Sequence, residues 1–425
     1  MKLRYTPLPP FFYKSNRERL LQALDQDGLA VVFSNDLMPR NGDCHFNFRQ
    51  NSDLLYLTGI DQEETLLLIC PSEREEKKFQ LFIKKTNAHI RVWDGEKLTK
   101  DEATQLSGIA SIHWVDSFET VFQQQVQRRG KLYYSNNAND RAVSKVISAA
   151  DRFLQQNSNL LKGKKLIPLG PLIADMRVIK HEVEIDQIRK AVEITALAFR
   201  RVLKFTRPAR KEYEVEAEIT HEFISKGSAG HAYQPIIAGG KNSCILHYID
   251  NSDLLEEGDV LLLDFGAEYG NYAADLSRTI PVSGKFSPRQ RAVYDAVLRV
   301  FTVAKTKMQV GALLKDVQAE TLKAMKEELI QLGLLDKRAS NLNESVRKYF
   351  MHGVAHFLGM DVHDVGNRNL TFKAGMVLTC EPGIYIPEER IGIRLENDIL
   401  ITTEGPVDLM ESIPITPDQI EMLMA

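Results

Sequence analysis

Two pairs of acids constrain this chain more than anything else in it. Asp264 and Asp275 flank one turn signal, and Glu381 and Glu396 flank another. Val260-Leu-Leu-Leu-Asp264-Phe-Gly-Ala reads as a buried strand, Glu268-Tyr-Gly-Asn271 as a turn, and Tyr272-Ala-Ala-Asp275-Leu-Ser-Arg-Thr-Ile280 as the return strand. A turn centred on Tyr269-Gly270 sets the two aspartates face to face; one centred on Gly270-Asn271 makes them diagonal neighbours. Both registers have the same parity, so both leave the carboxylates on one face, roughly 4.5 to 8 Å apart. In the second hairpin Glu381-Pro-Gly-Ile-Tyr-Ile386 returns as Ile391-Gly-Ile-Arg-Leu-Glu396. A turn at Glu388-Glu389 puts Glu381 opposite Glu396, with Arg394 on the face of Glu396.

A single acid in a strand is ordinarily a solvated, outward-facing residue. Asp264 is not placed that way: it interrupts Leu261-Leu-Leu263 and precedes Phe-Gly-Ala, where an ion needs a strong partner. Arg278 and Arg394 are the available arginines, and two cations do not neutralise four acids. Between the pairs runs Met351-His352-Gly353-Val354-Ala355-His356, followed by Val362-His363-Asp364. Four carboxylates converging with an imidazole need cations, which is the layout of a two-metal hydrolytic centre. His352 and His356 mimic the spacing of the helical zinc-protease motif, but position 353 is glycine and the general-base glutamate is missing.

At 425 residues the chain is too long for one ordinary core, so two domains are expected, with a boundary at 172/173. A mean hydropathy of −0.25 with 26% charged residues fits a soluble globular protein. A net charge of −3 without a long basic run gives no footprint for nucleic acid or an anionic membrane. No apolar leader or membrane span is expected, and the scattered Cys44, Cys70, Cys244 and Cys380 suit free thiols in a reducing cytoplasm. Cys380 neighbours Glu381 and therefore faces away from the acids.

Residues 1–172 alternate helices (15–24, 141–155) with short strands (30–33, 64–69, 79–83, 131–134), an α/β pattern with a mixed or parallel sheet. From Gln156 the composition turns to Asn, Ser, Lys, Gly and Pro, which reads as a domain linker with one short strand. Residues 173–425 open with Ile185, Ile188, Val192, Ala196, Phe199 and Leu203 at helical spacing, stopped by Arg207-Pro208. Helices follow at 212–226, from Ser287-Pro288, and up to Leu332-Gly333. Helices alternating with acid-bearing hairpins predict an α+β domain with pseudo-two-fold symmetry.

At these residues the chain resembles the aminopeptidase P and prolidase branch of the pita-bread metallopeptidases, which also include methionine aminopeptidases and creatinase. The resemblance is carried by Asn242-Ser-Cys-Ile-Leu-His247-Tyr, by Leu263-Asp264-Phe-Gly-Ala-Glu-Tyr with Tyr272-Ala-Ala-Asp275-Leu-Ser-Arg-Thr, and by His352-Gly353 through His356 to His363-Asp-Val-Gly. Glu381-Pro-Gly, Tyr385 and Gly392-Ile-Arg394 with Glu396 and Asp398 complete it, and Phe48-Arg-Gln-Asn-Ser-Asp53 with Tyr56-Leu-Thr-Gly59 resemble the accessory N-terminal domain. The segments between Glu381 and Glu396 and after Gly366 are shorter than in some bacterial members, which puts the pocket-shaping loops in question.

The resemblance implies five metal ligands, Asp264, Asp275, His356, Glu381 and Glu396, with Asp275 and Glu396 bridging two divalent ions. A carboxylate set with one imidazole favours Mn²⁺ over a thiolate-type zinc site. The implied reaction is release of the residue preceding a second-position proline, by attack of a hydroxide held between the ions. Glu381 would move the proton, His363 and His247 would bind the carbonyl or oxyanion, Arg394 would orient the ligands, and His352 and Tyr385 would line the proline pocket. Trp93 resembles a residue that reaches a neighbouring subunit; the plainer expectation is a strand residue packing its own domain. The expected partners are proline-containing peptides and further copies of the chain, as a homodimer or homotetramer. A prolidase confined to Xaa-Pro dipeptides shares the same ligands, whereas a non-catalytic pita-bread binder or a metal-free creatinase-like hydrolase should have lost some.

Overall fold

The computed structural model describes residues 3–135, 148–338 and 342–425, and the chain divides into two compact units, Met1–Met176 and Arg177–Ala425. The 172/173 boundary falls inside the Gly170–Arg177 helix; the division lies at the end of that helix. In the first unit six strands form one mixed sheet, in the order Ser111–Trp114, Phe79–Ile83, Leu66–Ile69, Gly28–Phe33, Lys131–Tyr134, Lys165–Pro168. Gly28–Phe33 is buried along its whole length, antiparallel to Leu66–Ile69 and parallel to Lys131–Tyr134. An unbroken apolar run belongs in the middle of a covered sheet. Phe118 and Phe122 of the Phe118–Gln127 helix and Phe153 of the Ala149–Gln156 helix pack in its core.

Three expectations for this unit are adjusted. The first part of the 141–155 helix lies outside the described residues. The stretch after Gln156 holds the expected short strand, Lys165–Pro168, but is packed rather than a free linker: the strand edges the sheet parallel to Lys131–Tyr134, and Leu161 and Leu169 are buried. Lysine and proline are edge-strand residues as much as linker residues, which is why composition alone misreads them. Trp93 is not on a strand; it ends the short helix Ala88–Trp93 and is 75% exposed, so it does not pack its own domain.

The second unit consists of two similar halves, the α+β pita-bread arrangement. In one, helices Glu182–Phe205 and Glu212–Ser225 pack together beside the antiparallel sheet Ile236–Gly239, Val260–Phe265, Leu276–Pro281. In the other, Pro288–Lys307 and Leu314–Gln331 pack together beside Val377–Cys380, Asn397–Thr402, Gly405–Asp408. The hairpin Gly383–Ile386/Ile391–Arg394 joins them, Arg394 N donating to Thr279 Oγ1 at 3.2 Å. Local signals start the helices where expected. The His181 ring accepts from Val183 N while Glu184 accepts from His181 N, and Ser287 with Gln290 forms a capping box ahead of Pro288–Lys307.

Candidate metal centre

The two acid hairpins reach one centre by different registers. Gly270 and Asn271 have φ of 59° and 64°, the backbone of a two-residue type I′ turn, and Tyr269 pairs with Tyr272. Further along this ladder Asp264 faces Ser277, which leaves Asp275 two residues nearer the turn, diagonal and on the same face. Of the two registers open to the sequence, the diagonal one is adopted. Gly266 allows the strands to stay close there, since a Cβ would meet the Ala274 carbonyl oxygen at 1.7 Å. In the second hairpin Gly383 pairs with Arg394 and Cys380 with Asn397, a single register that sets Glu381 opposite Glu396. Cys380 is buried on the far face, its Sγ 3.9 Å from Phe301 O.

Arg394 joins the two halves. Its Nη2 donates to Asp264 Oδ2, its Nε donates to Ser277 Oγ at 2.8 Å, and Ser277 Oγ donates to Glu396 Oε2 at 2.6 Å. Arg278 plays no such part. Fully buried, it donates to the carbonyls of Pro414, Ser277 and Glu396 and to Asn397 Oδ1. One guanidinium therefore faces four carboxylates.

The histidines take defined tautomers. Arg394 Nη1 donates to Tyr385 Oη at 3.0 Å, so the phenol proton goes to His352 Nε2, 2.8 Å away. A guanidinium cannot accept, which makes His352 Nε2 the acceptor and places its own proton on Nδ1, donated to Gly353 O at 2.8 Å. Burial, aided by the charges of Arg394 and His247, lowers this ring's pKa to about 4, consistent with the neutral form. His356 Nδ1 donates to Phe357 O at 3.0 Å, which turns Nε2 toward Asp275 Oδ2 at 3.3 Å and Glu381 Oε1 at 3.8 Å. A lone pair aimed at two carboxylates needs a cation, or a proton, between them. Burial would lower the His356 pKa, but the Asp275 hydrogen bond and the Glu381 and Asp275 charges override it and lift the ring to about 9.

The acids show the same shortage of positive charge. Burial lifts Glu381 to about 7, opposed by His356 and Arg394 and reinforced by Asp275 and Asp264. Burial also pushes Glu396 well above the carboxylate range, with Asp275, Glu381 and Asp264 adding to it. Asp264 is raised by burial despite Arg394. Tyr233 shows it atom by atom: its Oη lies 2.6 Å from Asp264 Oδ1 and 2.5 Å from Asp275 Oδ1. A single phenolic proton cannot serve two acceptors, so a carboxyl must take up a proton or a cation must take its place. Asp275, His356 and Glu396 each offer a donor atom within 4.8 Å of the others. Carboxylates with one imidazole are the donors of a hard or borderline divalent cation, and the residues present fit such a centre.

The other expected residues divide. The His363 ring packs edge-on against His356 at 4.4 Å, and His352 Nδ1 lies 3.5 Å from Glu381 Oε2. His247 is exposed on the loop after the Gly240–Cys244 turn, near enough for its charge to act on His352 but, among the described residues, without a hydrogen bond to the rest. Tyr233, Ser277 and Asp398 belong to the site without having been expected there. Asp398 is fully buried; its Oδ2 accepts from Asp275 N at 3.2 Å, while Oδ1 has no protein partner among the described residues. Ser277 and Asp398 stand two residues beyond Asp275 and Glu396, so strand parity could have found them. Tyr233, 31 residues from Asp264, has no such local signal.

Residues 186–403 match the model of metallopeptidase family M24, and residues 13–133 match that of the aminopeptidase P N-terminal domain. The Xaa-Pro aminopeptidase of Escherichia coli (strain K12) is 34% identical, covering 97% of each chain. That of Haemophilus influenzae is 33% identical over 100% of each. The solved structure of aminopeptidase P from E. coli with the inhibitor Pro-Leu superposes with a TM-score of 0.90 at 32% identity, covering 99% of each chain.

Proposed function

Because the chain belongs to metallopeptidase family M24, we propose that the charge-deficient acid centre makes it an Xaa-Pro aminopeptidase, releasing the N-terminal residue from peptides with proline second. The observation that carries this is the convergence of four buried or half-buried carboxylates on one arginine and one imidazole, in a chain similar end to end to Xaa-Pro aminopeptidases. Asp264, Asp275, His356, Glu381 and Glu396 would hold two divalent cations, Mn²⁺ by the hardness of the donors. Bound there, the cations supply Lewis acidity to a water and to the scissile carbonyl.

The remaining steps belong to the protein. Glu381 accepts the proton of the attacking water and delivers it to the departing proline nitrogen. His363, beside His356, hydrogen-bonds the carbonyl oxygen as charge develops on it, with His247 contributing from the rim. Arg394 keeps Asp264 and, through Ser277, Glu396 in place. His352, its ring fixed by the hydroxyl of the fully buried Tyr385, presents a neutral surface suited to a proline ring, which carries no N–H to satisfy, while Tyr385 itself supports that ring from behind. We place the protein in the cytoplasm as a homodimer or homotetramer. Its cysteines are free, and the exposed Trp93 is available to a neighbouring copy.

Peptides of increasing length, Xaa-Pro against Xaa-Pro-Yaa and Xaa-Pro-Yaa-Zaa, assayed after chelation and after Mn²⁺ addition, test this reading. Chelation should abolish cleavage, Mn²⁺ should restore it, and the longer peptides should be cut. Cleavage confined to the dipeptide would mark a prolidase, and full activity in metal-free protein would overturn the metal centre.

A further inference from the structure

A second buried charge cluster lies behind the loop that carries His356 and His363. Arg177 ends the Gly170–Arg177 helix and Lys180 precedes the cap of Glu182–Phe205; the two are 3% and 5% exposed. Lys180 Nζ donates to Asp364 Oδ2 at 2.9 Å and Arg177 Nη2 to Asp364 Oδ1 at 2.6 Å, and the same nitrogen reaches Asp361 Oδ2 at 2.9 Å. Both Asp364 oxygens are thus held by cations from a distant part of the sequence. Asp364 N donates back to Phe357 O at 2.9 Å and closes the loop. Gly359 is required within it, because a Cβ would meet Asp364 Oδ2 at 2.2 Å and Lys180 Cε at 2.8 Å. The loop is also pinned to the metal centre. Thr379 N donates to His356 O at 2.9 Å, and Ala273 N, on the strand leading to Asp275, donates to Gly359 O at 2.9 Å.

Buried ion pairs commonly stabilise a protein no better than apolar side chains of the same volume, so their value lies in fixing a geometry. Asp364 directly follows His363, and the closed loop leaves little freedom between them. We propose that Lys180 and Arg177 are positioning residues: by holding both oxygens of Asp364 they fix the 356–364 loop, and through it the His363 ring, in the orientation that catalysis uses. The proposal rests on the aminopeptidase reading in so far as His363 serves the peptide carbonyl.

The test measures kcat and KM of Lys180→Met, Lys180→Arg, His363→Ala and the Lys180→Met/His363→Ala double variant on an Xaa-Pro-Yaa tripeptide with Mn²⁺. Side-chain ¹⁵N shifts of the histidines in the metal-free proteins accompany it. Lys180→Met should lower kcat about 10- to 100-fold, the effect of a small misplacement of a reacting group, while KM changes less than about twofold. Lys180→Arg should recover most of the loss. The double variant should be no worse than His363→Ala alone, because Lys180 acts through that ring. The His363 resonances should move in Lys180→Met and stay put in Lys190→Met, a change on the solvent face. Additive losses, or unmoved His363 resonances in Lys180→Met, overturn the proposal. Failure of the aminopeptidase reading looks different: the parent cuts no Xaa-Pro peptide, yet the ring shifts still follow Lys180. If Lys180→Met does not fold, Arg177→Lys carries the same two readouts, since it keeps the charge and changes the donor geometry at Asp364 Oδ1.

Discussion

The chain buries two groups of acids and treats them oppositely. Behind the 356–364 loop, Asp364 has a lysine and an arginine, one on each oxygen. At the hairpins, Asp264, Asp275, Glu381 and Glu396 share Arg394 and His356. The first group is closed by the protein's own cations; the second is left short of them. A buried acid is therefore not by itself the mark of a metal centre. What marks it is the number of cations the chain declines to supply.

Matched amide substitutions separate the two groups most widely. Glu381→Gln should cut turnover about 10²- to 10⁴-fold, the range for a lost proton carrier, with little change in melting temperature. Asp364→Asn should instead cost about 3–5 kcal/mol of stability in denaturant unfolding, because it leaves the buried Lys180 without its anion and Arg177 with only the partly exposed Asp361. Reversed outcomes would mean that the groups have been assigned the wrong way round.

The pH dependence of unfolding sharpens the contrast. Glu381 is lifted to about 7 by burial, and so is Glu184, beside Lys180, against the His181 amide and the lysine charge. For both, the folded state binds a proton more tightly than the unfolded chain, whose value is near 4.5. Metal-free protein should thus be most stable below pH 4.5 with respect to these groups and lose that stability as pH rises to about 7. Mn²⁺ should remove the Glu381 part and leave the Glu184 part, so melts with and without metal should differ in slope across this window. Equal slopes would put Glu381 outside the cation site. The smallest expected effect is that of Tyr233→Phe, about 1 kcal/mol of stability for one lost hydroxyl hydrogen bond, with activity retained; complete loss of activity would make Tyr233 part of the chemistry.

The sequence revealed the acid pairs because strand geometry repeats every two residues, so parity survives an uncertain turn. It did not choose between the face-to-face and diagonal registers at Asp264 and Asp275, since that depends on which two residues take positive φ. The Lys180–Asp364 contact, across 184 residues, and Tyr233 between two aspartates leave no trace in local spacing. The short strand expected after Gln156 is Lys165–Pro168, but linker-like composition gave no sign that it joins the sheet, because an exposed edge has little apolar pattern to show.

Arg394 reaches Asp264 across 130 residues, and Ser277 reaches Glu396 across 119. The centre therefore has an order in time as well as in space. During synthesis, a chain that has not yet reached Arg394 has its first two acids but neither the guanidinium nor the last carboxylate beside them. A product that ends before Arg394 has no complete centre and should not cut peptides. The nascent protein cannot trim its neighbours, or itself, until the second half has emerged and closed onto the first.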